Sequence, residues 1–196
     1  MSRLILASAS PRRQQLLAQI GVRCQMYPVD LDETPLAHET PAALATRLAL
    51  AKASEAQRRL HTTEVVLGAD TVVAIDGEAL GKPAQQAEAI AMLTRLSGRE
   101  HQVFSAVAVR YEKHEAVCLV TTQVHFKSLT LQEITDYWAS GEPIDKAGAY
   151  AIQGLGALFV KSLTGSYSAV VGLPLFETGQ LLNSFGIPVG KGYASQ

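Results

Sequence analysis

Leu4-Ile5-Leu6-Ala7-Ser8-Ala9-Ser10-Pro11-Arg12-Arg13 is the stretch on which the fold turns. Four apolar residues run into small polar ones, then a proline and two arginines. That is the pattern of a buried strand, a tight loop and a helix start. Ser10 takes the capping position, and Pro11 suits the first helical position, where a missing N–H is harmless. The helix continues through Leu16, Leu17 and Ile20 and stops at Gly21. A second strand is expected over about 23–29. Strand, helix, strand in close succession predicts an α/β fold.

The rest of the chain extends this reading. Thr40-Pro41 opens a long helix with Leu44, Leu48 and Ala51 on one face. Val65-Val66-Leu67-Gly68-Ala69 reads as a buried strand that ends in Asp70-Thr71, with Val72 to Ile75 extended beyond and a turn at Asp76-Gly77. A helix is expected over about 84–96. Two β-rich runs, 103–111 and 116–126, flank Glu112-Lys113-His114-Glu115 and predict a hairpin. Thr130 with Glu133 forms a capping box for a helix through Trp138. Residues 146–156 are glycine-rich and irregular, 158–163 read as a strand, and Leu173-Pro174 starts a last helix through Leu182. Hairpins among alternating strands and helices predict a twisted mixed sheet flanked by helices. There is no repeat and no linker, so one domain over 1–196 is expected.

Composition narrows the function. Lys+Arg is 17 against Asp+Glu 18, a formal net charge of -1, whereas a protein that coats duplex DNA normally shows a basic excess. A few placed cations that hold a small anion would leave no trace in that sum. The two cysteines, Cys24 and Cys118, form no CxxC pair, so two buried free thiols are expected and a zinc site is not. Met1-Ser2-Arg3-Leu4-Ile5-Leu6 is too short an apolar run for a signal peptide. No stretch approaches the ~18 apolar residues of a membrane span. A cytoplasmic protein without a membrane partner is expected.

Four segments can carry chemistry. Ser8-Ala9-Ser10-Pro11-Arg12-Arg13 brings a helix N-terminus and two forked cations together, and arginines there oppose the helix dipole unless an anion offsets them. Asp30-Leu31-Asp32-Glu33 is an acidic loop of the kind that holds Mg²⁺. Asp70 follows a wholly apolar strand, where a carboxylate can be aimed at a metal or a water. Lys82, between Gly81 and Pro83, is a restrained point charge suited to phosphate. Lys52 reads as a solvated residue of the long helix unless that helix faces the cleft. His101 and His125 have no partner at ligand spacing. There is no Walker A loop, no dinucleotide fingerprint and no Ser-His-Asp pattern. Together the residues indicate phosphate chemistry and leave hydrolase, transferase and nucleotide sensor open.

The ordered set of short motifs resembles the Maf family. Ser8 to Arg13, Asp32-Glu33-Thr34, Lys52-Ala53, Gly68-Ala69-Asp70-Thr71, Gly81-Lys82-Pro83, Ser97-Gly98-Arg99, Lys146-Ala147-Gly148-Ala149-Tyr150, Gln153-Gly154 and Val171-Gly172-Leu173-Pro174 occur in the family's order. The resemblance implies a fold similar to the inosine triphosphate pyrophosphatases, with a central cleft between two lobes. It implies hydrolysis of a nucleoside triphosphate to monophosphate and pyrophosphate with Mg²⁺ or Mn²⁺. The stretch from Asp145 to Gly154 looks like the branch acting on dTTP and UTP. In that branch the positions matching Arg12, Thr71 and Gln153 are associated with base selection, and Asp70 matches the catalytic acidic residue. Ser8, Arg12, Arg13, Lys52, Thr71, Lys82 and Gln153 are then the expected substrate contacts, and Glu33 with Asp70 the expected metal ligands. Ser105-Ala106 departs from the Thr-Gly of many members, and an effect on packing alone is expected. A homodimer is also implied. Two other readings are a house-cleaning enzyme for modified nucleotides and a nucleotide-binding regulator of septum formation.

Overall fold

In the computed structural model, residues 3–190 are described; Met1 and Ser2, from the N-terminal stretch discussed above, fall outside them. The opening segment folds as its pattern dictates. Strand β1 (Leu4–Leu6) is buried throughout, and helix α1 (Pro11–Gln19) starts on its proline. One detail differs. Ser10 caps by position, but its side chain bonds no helix N–H; instead its own N–H donates to Ser8 Oγ at 3.1 Å. Strand β2 (Cys24–Met26) is shorter than the apolar run suggested.

Helix α2 (Pro41–Leu60) is capped by Thr40 Oγ1, which accepts from the Ala43 N–H. Strand β3 (Val65–Ile75) is the spine of the sheet. It turns at Asp76-Gly77 into β4 (Glu78–Leu80), and α3 (Gln86–Leu96) follows. Strands β5 (Glu100–Tyr111) and β6 (His114–Phe126) form the expected hairpin, a few residues longer than its apolar core. Helix α4 (Leu131–Ala139) has the full capping box of Thr130 and Glu133. Two 3₁₀ turns fill the glycine-rich stretch, at Ala147–Ala149 and Leu155–Phe159. Strand β7 (Val160–Thr164), a short helix α5 (Tyr167–Val171) that the sequence did not suggest, and α6 (Leu175–Ser184) complete the order.

The sheet is mixed, in the order β2-β1-β3-β5-β6-β7, with β4 also on β3. β1 pairs parallel to both β2 and β3, and the remaining pairs are antiparallel. Alternation along β3 divides the core. Val65, Leu67, Ala69, Val73 and Ile75 pack into the larger apolar cluster. Val66 and Val72 pack with Leu44, Ala45, Leu48, Ala49 and Ala53 of α2. Gly68 lets that helix approach, since a Cβ there would collide with the Ala49 carbonyl and lie 2.7 Å from the Ala53 nitrogen.

One feature of the pairing creates the site. On one edge, β3 pairs with β1 over Val65–Leu67 and with β4 over Val73–Ile75. Between them residues 68–72 have a strand neighbour only on the β5 side. The cleft opens through this gap. Cys24 and Cys118 are free but only half-buried, which corrects the expectation of two buried thiols. No helix among the described residues is long and apolar enough to cross a membrane.

Candidate active site

Asp70 does not end its strand, as the sequence reading had it; it sits inside the continuous β3. The physical expectation survives in another form, because the neighbouring strand ends while β3 continues. Asp70 shares the face of Val66, Gly68 and Val72, so its carboxylate is directed towards α2. Lys52 stands on the buried stripe of that helix, in step with Leu48, Ala49, Ala53 and Ala56. The helix faces the cleft, so the exception allowed for Lys52 holds and it is not a solvated residue. Lys52 is 8 % exposed and Asp70 7 %, and Lys52 Nζ donates to Asp70 Oδ1 at 2.6 Å. The same nitrogen meets Glu33 Oε1 at 2.5 Å.

Of the acidic loop, only Glu33 reaches the cleft. Asp32 is spent on a local turn, accepting from the Thr34 N–H at 2.9 Å. Arg47 holds the loop on α2 by donating to the Thr34 carbonyl and to Glu39. Burial alone would raise the Glu33 carboxyl, but the ammonium groups of Lys52 and Lys82 outweigh it and hold Glu33 below its ordinary value. Lys82 Nζ lies 3.4 Å from Glu33 Oε2.

The two arginines of α1 part company. Arg13 Nε donates to the Gly172 carbonyl at 2.9 Å, Nη1 to Ser8 Oγ at 3.2 Å and Nη2 to Thr71 Oγ1 at 3.3 Å. It thus ties the loop after β1, strand β3 and the turn after α5 together, and most of its fork is committed to the protein. Arg12 lines the cavity and makes no side-chain hydrogen bond among the described residues. Ser8, expected as a substrate contact, is buried under Ser10 and Arg13, and Ser10 lines the cavity in its place. Thr71 Oγ1 also lies 3.2 Å from Ser105 Oγ, so Ser105 keeps at this position the hydroxyl that a threonine would supply.

These residues surround a cavity of about 630 Å³. Its charged lining comprises Arg12, Arg13, Lys52, Lys82 and Lys146 against Glu33, Asp70 and Asp145. The excess of cations over carboxylates suits a polyanion. Gln153 does not line this cavity. It lines a small adjoining pocket with Arg12, Tyr150, Ile152, Val170 and Val171. Arg12 and Tyr150 border both.

Four contributors were not singled out from the sequence as site residues. Lys146 enters the cleft, where burial first and the Arg12 guanidinium next push it below the ordinary amine value. Tyr150 is 5 % exposed, and its hydroxyl is 2.9 Å from His101 Nε2. His101, which drew no role from its spacing, is thus a support beneath the pocket wall. Glu142 pins the segment that carries Gln153. A strand histidine opposite a buried tyrosine has no sequence signature, because the two meet only across the fold.

The family model described as Maf-like protein matches residues 3–185. The chain belongs to this family. A dTTP/UTP pyrophosphatase of Vibrio vulnificus (strain YJ016) is 50% identical over 185 residues, covering 94% of this chain and 100% of the relative. One from Pseudoalteromonas translucida is 51% identical over 180 residues, covering 92% and 95%. One from Symbiobacterium thermophilum is 49% identical over 194 residues, covering 99% and 100%. Among solved structures, a nucleoside-triphosphatase / dITP/XTP pyrophosphatase of Mycobacterium abscessus is 18% identical with a TM-score of 0.45, covering 93% of this chain and 98% of that one.

Among the described residues, no group of three or more His, Cys, Asp or Glu side chains is arranged to hold a metal. Glu33 and Asp70 nevertheless suit a divalent cation of the hard type. Two carboxylate oxygens converge on one positive charge, and Asp70 Oδ2 makes no hydrogen bond among the described residues. Mg²⁺ is commonly held by one or two carboxylates with phosphate oxygens and water completing the shell.

Proposed function

We propose that this Maf-family chain hydrolyses dTTP and UTP to the monophosphate and pyrophosphate. The observation that carries the reading is the cleft's asymmetry. Arg12 and Lys146 face it without an ion pair of salt-bridge length among the described residues, while Asp70 and Glu33 sit together around Lys52. Relatives near 50% identity over almost the whole chain carry the name of that activity.

The cations take the polyphosphate. Arg12 offers a fork that fits two phosphate oxygens, and Lys82 and Lys146 act as point charges on the leaving side. Asp70 Oδ2 accepts a hydrogen bond from the water that attacks the α-phosphorus and takes up its proton. Lys52 holds Asp70 Oδ1, so the carboxylate keeps one orientation. Arg13 keeps Thr71 and the 172 turn in register beside it. Negative charge grows on the departing pyrophosphate, and the fixed cations stabilise it without reorganising. Glu33 and Asp70 would hold Mg²⁺ or Mn²⁺, which when bound neutralises phosphate charge. Gln153 reads the imide edge of uracil or thymine, since its amide can both donate and accept. Arg12 and Tyr150 border both spaces, so a base held in the main cavity can present its edge towards Gln153.

The deciding experiment is a turnover screen over the common nucleoside triphosphates and modified pyrimidine analogues. The expected products are UMP or dTMP with pyrophosphate. Release of orthophosphate, or no turnover of either nucleotide, would overturn the reading.

A further inference from the structure

Glu142 lies outside the cavity and outside every motif that carried the functional reading, yet its carboxylate is fully engaged. Oε1 accepts from the Tyr137 hydroxyl at 2.7 Å and from the Gly156 N–H at 3.0 Å. Oε2 accepts from the Leu155 N–H at 2.8 Å. Tyr137 Oη in turn accepts from the Ala151 N–H at 3.0 Å. The segment bearing Gln153 is therefore held on both sides, at Ala151 before it and at Leu155 and Gly156 after it. Within the segment the Gly154 N–H donates to the Ala151 carbonyl at 3.4 Å.

The glycines fit this clamp. A Cβ on Gly154 would run into the Glu142 carboxylate. A Cβ on Gly156 would lie 2.6 Å from the Ala151 carbonyl and 2.7 Å from the Tyr137 hydroxyl. Burial would raise the Glu142 carboxyl, but the N–H of Gly156, the Tyr137 hydroxyl and the N–H of Leu155 outweigh it and keep it ionised. Burial, and then the neighbouring carboxylate, push the Tyr137 phenol up, so it remains a donor. Tyr137 is itself fixed, 4 % exposed and edge-on to Phe159.

We propose that Glu142, working through Tyr137, is a positioning residue for base selection: it holds the 151–156 segment so that the Gln153 amide meets the pyrimidine edge in one orientation. The proposal rests on the dTTP/UTP reading above and on the place of Gln153 in the pocket beside Arg12 and Tyr150. The chemistry of the clamp makes it specific for a carboxylate. Three donors need three acceptor positions on two oxygens, and an amide offers one oxygen. Glu142→Gln turns a donor against either Leu155 or the Tyr137–Gly156 pair, with little change in volume.

The test is steady-state kinetics on UTP and CTP for the wild type, Glu142→Gln, Tyr137→Phe, Gln153→Ala and the double variant Glu142→Gln/Gln153→Ala. Glu142→Gln should raise KM for UTP and reduce the UTP:CTP ratio of kcat/KM by about tenfold, the size expected for one mismatched hydrogen bond to a charged group. Its kcat at saturation should stay within about twofold of the wild type, because Asp70 and Lys52 are untouched. Tyr137→Phe removes one oxygen and should shift the ratio in the same direction by less, which keeps the test alive if Glu142→Gln folds poorly. In the Gln153→Ala background the Glu142 change should have no further effect on the ratio. An intact ratio in both single clamp variants, with a collapsed ratio in Gln153→Ala, overturns the positioning role alone. Independent, multiplying losses in the double variant do the same. An intact ratio in Gln153→Ala overturns the base-reading role and the proposal with it, whereas wild-type protein inert to both UTP and dTTP refutes the pyrophosphatase reading itself.

Discussion

Lys52→Met isolates the central electrostatic claim. The substitution keeps an unbranched stem on the buried face of α2 and removes only the charge. In the native protein Glu33 Oε1 and Asp70 Oδ1 contact one nitrogen at 2.5 and 2.6 Å. The two oxygens therefore lie within about 5 Å of each other, where two unit charges repel by ~3 kcal/mol at an effective dielectric of ~20. The Glu33 side chain is 41% exposed, so it can swing towards water and relieve much of this. Removing one partner of a buried ion pair still leaves Asp70 uncompensated. A net loss of about 1–3 kcal/mol follows after solvent screening. For a chain of this size that lowers Tm by roughly 3–10 °C. Thermal unfolding followed by circular dichroism at pH 7, first with chelator and then across a Mg²⁺ titration, provides the assay. The variant should gain more from Mg²⁺ than the wild type, because no ammonium competes for the carboxylates. A variant with unchanged Tm and the same Mg²⁺ response would refute the reasoning, since the ammonium would then not be what reconciles the two carboxylates.

Other outcomes follow from the same geometry. Asp70→Asn should cut UTP turnover by orders of magnitude while the circular dichroism spectrum stays native; near-normal pyrophosphate release would remove Asp70 from the chemistry. Lys146→Ala should weaken UTP more than UMP as an inhibitor or ligand, because the lost charge serves the outer phosphates; equal effects on both would place Lys146 elsewhere. Gly68→Ala should lower Tm by several degrees, as its Cβ meets the backbone of α2 and cannot be relieved by a rotamer change, at a cost of about 1–3 kcal/mol. His101 is held down to about 4 by burial. Its stabilising contribution is full above the unfolded value near 6.5 and is lost as the pH falls towards 4, because the unfolded chain binds the proton first. Denaturant unfolding between pH 7 and pH 4 should show that slope, and His101→Phe should flatten it; an unchanged slope would mean other groups produce it.

Much of the fold was legible because local rules and burial agreed. The proline and serine at the start of α1, the capping box of α4 and the turn at Asp76-Gly77 each announced an element that formed. The site was legible as a set of residue types but not as a division of labour. Arg12 and Arg13 are equivalent in sequence and both line the cavity, yet only Arg13 is bonded to three segments remote from one another. Lys52 looked like any helix lysine, because an isolated helix carries no information about which strand carboxylate will cover it. Asp32 and Glu33 are adjacent carboxylates, and the turn at Thr34 commits only the first.

The sequence by itself determined the alternation of strands and helices, the near-neutral charge and the family's chain of motifs. These depend on near neighbours and on side-chain chemistry. Only the tertiary structure decided where β1 stops beside β3, which opens the gap at residues 68–72 and exposes Asp70 to the cleft. It alone set Lys52 against both carboxylates and Glu142 against the backbone around Gln153. Those contacts join segments far apart in the chain, and their geometry is fixed by sheet register and helix packing, which no local pattern encodes.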